Sequence, residues 1–391
     1  MYHNATSFLF STARRALAGE GVVTSLNRRT LWGVLVHQQR RFSSPPGLLR
    51  KFQEMAGDSG NPITRVLFCG LDFPGSHNYT REFLESYPFL KVDIAPLDDV
   101  PNFIADYDIC VVKMMKLNSD IIAKASKLKL IMQFGVGLEG VDTNAATKHG
   151  IKVARIPSDA TGNATSCAEM AIYLMLGLLR KQHEMEASVR QKRLGEPTGD
   201  TLLGKTVFIM GFGNIGMHLA KRLRPFDVRI LATKRSWPSS TQNSCIYHAS
   251  HDDLVDEKGS HQDILKFASR ADIVVCCLVM NSETAGIVDK TFISSMKKGA
   301  HLINIARGGL LDYDAFFHHL KSGHLGGLGI DVAWTEPFDP DDPILKFPNV
   351  IITPHVAGVT EHSYRTMAKI LGNVALQFHE GTTLSGIEIV N

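Results

Sequence analysis

The chain has 391 residues, of which 44% are hydrophobic and 21% charged, and its formal net charge is +3 at pH 7. This length exceeds one typical domain and predicts two lobes of ordinary globular composition. No apolar run approaches the ~20 residues that cross a bilayer, so we expect no membrane span. Residues 1–42 hold six arginines and one acid, which leaves residues 43–391 mildly acidic. We therefore expect no nucleic acid as a partner.

The first 42 residues are rich in arginine, serine and threonine, which is typical of an organellar transit peptide. The run Arg40-Arg41-Phe42-Ser43 resembles the processing site of plant mitochondrial presequences, so we expect cleavage after Phe42 and a mitochondrial location. A plastid peptide shares this composition and stays open, as does a disordered tail or a misassigned start. Translation from a downstream start would leave the protein in the cytosol. Residues 43–62, with several prolines and glycines, are predicted to be a linker.

The cysteines show no C-x-x-C spacing and no ladder with histidine, so we expect reduced thiols and no metal site. They are Cys69, Cys110, Cys167, Cys245, Cys276 and Cys277.

Short apolar runs alternate with helical stretches from residue 65 onward, which indicates parallel sheets. The first series ends near residue 156, and one long helix is predicted over 164–190. A second series of six predicted strands covers residues 207–211, 228–233, 272–278, 301–306, 327–332 and 350–353. Residues 255–262 are predicted to be an inserted surface loop. A last helix over 361–378 is expected to return to the first lobe.

A G-x-G-x-x-G motif follows the first strand of the second series directly and opens a helical run. Glycines in this context permit a tight turn, and the helix N-terminus offers free N–H groups to a pyrophosphate. The sequence therefore predicts a dinucleotide site that includes Gly211, Gly213, Asn214, Ile215 and Gly216.

The next strand ends without the acid that would hold a ribose 2′-hydroxyl; Lys234, Arg235 and Ser236 stand there instead. Cations bind a 2′-phosphate that an acid would repel, so we expect NADPH to be preferred, with NADH as the open alternative.

These patterns predict an α/β fold with two Rossmann-like lobes. A discontinuous, flavodoxin-like substrate domain would comprise residues 63–160 and 356–391, and a doubly wound dinucleotide-binding domain would be inserted at residues 161–355. We expect no regulatory domain after the last helix.

Three further strand ends carry the residue types that reduction of a 2-oxo acid requires. Arg307 can clamp a carboxylate and polarise a ketone with its planar guanidinium. His355 can donate the proton as the hydride arrives, and Glu336 would keep that histidine protonated and oriented.

In this order after the glycine motif, these segments resemble the signatures of the D-isomer-specific 2-hydroxyacid dehydrogenases, over nearly all of the chain from Arg65 onward. The resemblance implies that Arg307 binds substrate and that Glu336 and His355 form the proton relay. It also implies backbone donors to the substrate carboxylate from Val136 and Gly137, and cofactor contacts from Ala306 and Asp331, the latter at the nicotinamide carboxamide. We also expect a homodimer.

Several activities stay open at this point. A glyoxylate or hydroxypyruvate reductase suits the basic strand end, and phosphoglycerate dehydrogenase activity is the alternative. Formate oxidation needs no proton donor, so Glu336 argues against it. A corepressor-like, cofactor-sensing scaffold belongs to another class, and the full set of Arg307, Glu336 and His355 favours catalysis over it. Leu138-Glu139-Gly140 departs from the small-Asp-Asn pattern of the family and obscures the substrate.

Overall fold

The structure is a computed structural model that describes residues 62–113, 116–237 and 254–391. The predicted transit peptide (1–42), the predicted linker up to residue 61, and Cys245 lie outside the described residues.

The described strands are β1 (Thr64–Cys69), β2 (Leu90–Ala95), β3 (Ile109–Val112), β4 (Leu130–Gln133), β5 (Lys152–Arg155), β6 (Thr206–Met210), β7 (Arg229–Thr233), β8 (Glu257–Gly259), β9 (Ile273–Cys276), β10 (His301–Asn304), β11 (Gly327–Ile330), β12 (Val350–Ile352) and β13 (Glu388–Ile389). The described helices are α1 (Gly75–Leu84), α2 (Val100–Phe103), α3 (Ser119–Ile122), α4 (Thr143–Lys148), α5 (Asn163–Leu179), α6 (Gln182–Arg190), α7 (Asn214–Leu223), α8 (Ile264–Ala268), α9 (Lys290–Ser295), α10 (Tyr313–Lys321) and α11 (Glu361–His379).

The first sheet has the strand order β2-β1-β3-β4-β5-β13. Its strands are parallel except β13, which pairs antiparallel with β5. The order 2-1-3-4-5 is that of flavodoxin-like sheets. Helix α11 packs against α1 and contacts β1 and β2, so the C-terminal part of the chain returns to this sheet. The predicted discontinuous, flavodoxin-like lobe is therefore confirmed.

The second sheet has the order β8-β7-β6-β9-β10-β11-β12, and all its strands are parallel. The predicted doubly wound Rossmann sheet is confirmed, but its described part has seven strands rather than the six predicted. The winding direction reverses between β6 and β9, and ligands of such sheets bind in the crevice at the carboxyl ends of these strands. Helix α5 packs on α7 and contacts β10 and β11, so it belongs to this lobe.

The central strands of both sheets, such as β3, β4, β6 and β9, are buried on both faces, which explains why they are continuous apolar runs without alternation. In β6, Phe208 and Met210 pack into the hydrophobic cluster on one face of the sheet. Val207 and Ile209 pack into the cluster on the other face, which α5 and α7 cover. Complete burial of each such side chain contributes roughly 1.5–3 kcal/mol, so the strand ends are held on a rigid support.

The prediction of one long helix over 164–190 is wrong in one respect, because the segment forms two helices, α5 and α6. The chain breaks at Lys181, whose φ of +54° is left-handed. The amide groups of Arg180 and Lys181 close the last turn of α5 by donating to Leu176 and Leu178. Lysine is a good helix former, and the break occurs without glycine or proline, so the sequence gives no local signal for it.

The surface loop predicted over 255–262 is also wrong, because Glu257–Gly259 form the edge strand β8. This strand pairs with β7 in parallel register, with Lys258 opposite Ala232. Just before it, the carboxylate of Asp256 accepts from the backbone N–H of Ile230 at 2.6 Å. Three residues are too few to show an apolar pattern, so backbone pairing rather than side-chain periodicity determines this strand.

Gly259 tests whether β8 is packed as a strand. A Cβ at this position would lie 2.6 Å from the ring of Phe267, which is 1% exposed. Gly259→Ala should therefore lower the free energy of unfolding by about 1–3 kcal/mol in a denaturant titration. Gly213→Ala, where a Cβ would meet no atom within 4 Å, is the control and should not be destabilised. Equal stabilities for the two variants would show that residues 257–259 are not packed against Phe267.

Candidate active site

The glycine motif forms the turn between β6 and α7. Gly211 has a φ of +102°, and a Cβ there would lie 2.8 Å from the carbonyl oxygen of Cys277. A Cβ on Gly216 would lie 2.6 Å from the carbonyl oxygen of Gly211, so this glycine lets helix and strand pack closely. A Cβ on Gly213 would instead point into open space. The loop therefore leaves an open cradle at a helix N-terminus, which fits the pyrophosphate of a dinucleotide.

Two other predicted residues of the motif have structural contacts. Asn214 donates from Nδ2 to the Oγ of Ser158 at 2.8 Å, which joins the cradle to the segment that leads from the first lobe into α5. Ile215 packs against the cluster under α5 and α7. The structure thus places both residues at the cradle, at the N-terminus of α7.

The predicted basic segment, Lys234, Arg235 and Ser236, follows the end of β7. Lys234 is partly buried and donates its backbone N–H to the carbonyl of Gly259 at 3.1 Å, whereas Arg235 and Ser236 are exposed. Two cations and a hydroxyl at this strand end fit an adenosine ribose that carries a 2′-phosphate.

Asp331 follows β11 and is 1% exposed. Its Oδ1 accepts from the Oγ1 of Thr353 at 2.5 Å and from the backbone N–H of Val356 at 2.8 Å. Its Oδ2 accepts from the backbone N–H of Ala357 at 2.8 Å. Burial raises the pKa of this carboxyl, and the three donors act in the opposite direction. Asp331 therefore anchors the segment after β12, and its contact with a nicotinamide carboxamide stays a prediction.

His355 lies within that anchored segment and has a left-handed φ of +56°. Such a conformation is unfavourable for a residue with a side chain and persists only where neighbouring contacts hold it. The bonds of Asp331 to Thr353 and Val356 fix the chain on both sides of His355. The ring of Phe73 also meets the imidazole edge-on, with 6.1 Å between ring centroids.

His355 and Glu336 form a hydrogen-bonded pair, as predicted for the relay. The Nδ1 of His355 lies 2.9 Å from the Oε2 of Glu336, and the two side chains are 24% and 27% exposed. Glu336 also accepts from the backbone N–H of Ala333 at 3.0 Å. Burial alone would raise the pKa of Glu336, but His355, the Ala333 N–H and Arg307 lower it below its ordinary value. The pair therefore presents a carboxylate behind an imidazole whose Nε2 can face a ligand.

Arg307 follows β10, and its guanidinium crosses to the first lobe. A Cβ on Gly137 would lie 2.9 Å from Nη2 of Arg307, so the guanidinium reaches the backbone of this loop. The same Nη2 lies 3.7 Å from the Oε1 of Glu139. Nη1 donates to the carbonyl of Ala306 at 2.8 Å, and Ala306 donates its own N–H to Asn304 at 3.0 Å. The structure thus brings Arg307 onto the loop predicted to supply backbone donors.

That loop follows β4, and Val136 and Gly137 in it are partly exposed. Backbone N–H groups there, with the guanidinium beside them, fit the carboxylate of a small acid. Glu139, which departs from the family pattern, lies near the same guanidinium. The departure from the family pattern is therefore beside Arg307.

Sequence reasoning missed residues of the first lobe that lie beside the relay. A cavity of about 200 Å³ is lined by Glu336 together with Phe73 and Lys113. Lys113 donates from Nζ to the carbonyl of Gly70 at 3.0 Å and to that of Asp72. Burial lowers the pKa of this lysine to about 8. Lys113 directly follows strand β3, and a polar residue after an apolar run is the signal that could have found it.

Two observations concern the described residues as a whole. In the ranges 62–113, 116–237 and 254–391, no group of three or more His, Cys, Asp or Glu side chains is arranged to hold a metal ion. Among the helices of those same ranges, none combines the length and the apolar character needed to cross a membrane.

The doubly wound sheet carries a glycine cradle, and Arg307, Glu336 and His355 lie at the same strand ends. This is the architecture of a nucleotide-dependent oxidoreductase. Residues 172–357 match the family description "D-isomer specific 2-hydroxyacid dehydrogenase, NAD binding domain". The chain is 32% identical to the glyoxylate reductase of Thermofilum pendens over 263 residues, which are 65% of this chain and 73% of that protein. The chain therefore belongs to the D-isomer-specific 2-hydroxyacid dehydrogenase family.

Other relatives are similar over different extents. The chain is 31% identical to the D-3-phosphoglycerate dehydrogenase of Archaeoglobus fulgidus over 291 residues, which are 72% of this chain but only 51% of that protein. The chain thus spans about half the length of this relative. The NADPH-dependent glyoxylate/hydroxypyruvate reductase of Sinorhizobium meliloti superposes with a TM-score of 0.67 at 26% identity, over 84% of this chain and 97% of that one.

Proposed function

We propose that this protein reduces a small 2-oxo acid to the 2-hydroxy acid, in the D configuration where C2 of the product is a stereocentre. The observation that carries the proposal is the His355–Glu336 hydrogen bond of 2.9 Å, at the strand ends that also carry Arg307 and the glycine cradle. The bound nicotinamide would supply the hydride. The chain's own residues would bind the acid, hold its ketone and supply the proton.

Arg307 and the loop at Val136 and Gly137 would hold the substrate carboxylate between the lobes. The guanidinium presents several N–H donors in one plane, so it can bind a carboxylate oxygen and also polarise the adjacent ketone oxygen. As the hydride adds to C2, the carbon–oxygen π bond breaks and its electron pair moves to oxygen. His355 would give that oxygen its proton from Nε2.

Glu336 would hold His355 in the orientation that proton donation needs. Its carboxylate accepts from Nδ1, which leaves Nε2 as the donor toward the substrate. Because the pKa of Glu336 is lowered, the carboxylate keeps its charge into mildly acidic solution. The imidazole would therefore keep an ionised partner at Nδ1.

We favour glyoxylate or hydroxypyruvate as the substrate. The basic strand end suits NADPH, and the similar reductase of Sinorhizobium meliloti is described as an NADPH-dependent glyoxylate/hydroxypyruvate reductase. Phosphoglycerate dehydrogenase activity is the second candidate, from the similarity to the Archaeoglobus fulgidus enzyme. A cofactor-sensing scaffold without turnover is less well supported, since a scaffold has no need for the bonded relay. Turnover of a panel of small 2-oxo acids, each with NADPH and NADH, tests the proposal; no turnover of any would favour the scaffold.

The proton relay predicts that both partners are needed for reduction. Glu336→Gln removes the charge but keeps the shape, so it should lower kcat because the imidazole loses its anionic partner. His355→Ala should lower kcat further, about 10²–10⁴-fold, with cofactor affinity nearly unchanged.

The control for the relay is His149→Ala, which removes an exposed histidine at the end of α4 and should leave kcat unchanged. A Glu336→Gln variant with the kcat of wild type, at equal cofactor saturation, would contradict the assigned relay.

NADPH should be the preferred cofactor. Arg235→Asp removes a cation and adds an anion beside the 2′-phosphate, so kcat/KM for NADPH should fall about 30- to 150-fold, equivalent to about 2–3 kcal/mol, while kcat/KM for NADH changes much less. Lys298→Asp makes the same charge change at an exposed position before β10 and should affect neither cofactor. A wild-type preference for NADH, or equal losses with both cofactors in Arg235→Asp, would refute the preference.

We further propose a homodimer that uses α6 and the segment after it. Three apolar side chains are unusually exposed there: Val189 at 79%, Leu194 at 101% and Leu203 at 64%. Such residues favour an interface that a second copy covers. Sedimentation should show a dimer for wild type and a monomer for a Val189→Glu, Leu194→Glu variant. A monomeric wild type, or a dimeric variant, would argue against this surface.

The Arg-rich N-terminal segment supports a mitochondrial location. Residues 1–42 fused to a fluorescent reporter should direct it to mitochondria, and the protein recovered from cells should begin near Ser43. Replacing the six arginines with glutamine is the matched control and should leave the reporter in the cytosol. A cytosolic signal from the unaltered fusion would contradict targeting, and a plastid signal would contradict the mitochondrial assignment.

A further inference from the structure

The carboxylate of Glu139 lies where the proposed function puts the carboxylate of the substrate. Its Oε1 is 3.7 Å from the Nη2 of Arg307. A Cβ on Gly137 would meet its Oε2 and would come within 3.2 Å of its Cδ, so the side chain folds back over the loop that follows β4. The side chain of Glu139 is 52% exposed, so it belongs to the surface of the site rather than to the core beneath it.

This ion pair leaves the binding role of Arg307 intact. A distance of 3.7 Å is longer than a hydrogen bond, so Glu139 does not itself occupy the N–H groups of the guanidinium. An ion pair this exposed also contributes little to the stability of the fold. The consequence of Glu139 is therefore electrostatic, because every acid that binds at Arg307 must approach a fixed negative charge.

The charged groups around Arg307 balance one another. Glu336 lies within electrostatic reach of the same guanidinium, so one cation faces the carboxylates of Glu139 and Glu336. Lys113 adds a second cation beside Glu336, although its ammonium donates to backbone carbonyls of the loop after β1. A protonated His355 then balances the carboxylate of the substrate. A second negative charge on the substrate would have no counterpart among these groups.

Any second charge on a small 2-oxo acid has to lie close to Glu139. The carboxylate and the ketone are proposed to bind at Arg307, and a substituent on C3 is only a few bonds away from them. Such a group lies within the Debye length of about 8 Å at physiological ionic strength, so salt screens the repulsion only in part. The repulsion of the first carboxylate is common to all 2-oxo acids, whereas the repulsion of a second anionic group distinguishes between them.

We propose that Glu139 is a specificity-determining residue, which restricts the site to 2-oxo acids with a neutral substituent on C3. Its carboxylate repels a phosphate or carboxylate there and can accept a hydrogen bond from a hydroxyl. Hydroxypyruvate is therefore favoured over 3-phosphohydroxypyruvate, and pyruvate over oxaloacetate. The inference rests on the proposed function and decides between its two candidate substrates, in favour of the acid without phosphate.

Steady-state reduction of these four acids, at saturating cofactor, tests the role. The two members of each pair differ by an anionic group, so the readout is the ratio of their kcat/KM values. Glu139→Gln keeps the length of the side chain and loses the charge, and should lower both ratios roughly three- to thirtyfold. For an acid that is not turned over, its inhibition constant against hydroxypyruvate gives the comparison.

Two further variants separate charge from shape. Glu139→Asp keeps the charge but is one methylene shorter, so it carries the charge less far toward Arg307 and should give intermediate ratios. Glu85→Gln removes an exposed acid at the end of α1 and should leave both ratios unchanged. Added salt should lower the ratios of wild type more than those of Glu139→Gln, because it screens the repulsion.

The outcomes separate this inference from the proposed function. Equal ratios in wild type and Glu139→Gln, with turnover of hydroxypyruvate by both, would overturn the role of Glu139 while the proposed function stands. A wild type that prefers 3-phosphohydroxypyruvate to hydroxypyruvate would overturn it as well. A wild type that reduces none of the four acids, nor glyoxylate, with either cofactor would overturn the proposed function and the role of Glu139 together.

Discussion

The catalytic geometry depends on one buried carboxylate. Asp331 is 1% exposed, and a carboxylate in such a place is costly unless donors satisfy both of its oxygens. The donors are the Thr353 hydroxyl and the N–H groups of Val356 and Ala357. They come from the segment that carries His355, so stabilising the carboxylate also fixes the histidine in its left-handed conformation. The relay with Glu336 follows from that position.

The topology of the two sheets explains why a few residues are enough to form the active site. Parallel strands bring their carboxyl ends to one edge, so residues far apart in the chain meet without a dedicated scaffold. The ends of β6, β10, β11 and β12 supply the cradle, Arg307, Asp331 and His355. Gly137, after β4 of the other sheet, lies beside the same guanidinium, because a Cβ there would come within 2.9 Å of the Nη2 of Arg307.

Those strand ends could be predicted because each is an apolar run followed by glycine or polar residues. The doubly wound order and the pairing of His355 with Glu336 followed from that pattern and from the family resemblance. The break at Lys181 could not be predicted, because a left-handed lysine has no sequence signature. Strand β8 depends on backbone pairing across the sheet, which no local pattern of three residues encodes.

The central claim is that this site delivers a hydride to C2 of a 2-oxo acid while His355 supplies the proton. The direct measurement uses a nicotinamide cofactor deuterated at C4, on the transferred face, with glyoxylate and hydroxypyruvate as substrates. Mass spectrometry of the product should find one deuterium at C2, formed by wild type and nearly abolished in His355→Ala. A product without deuterium, or equal rates of labelling in both proteins, would contradict the account.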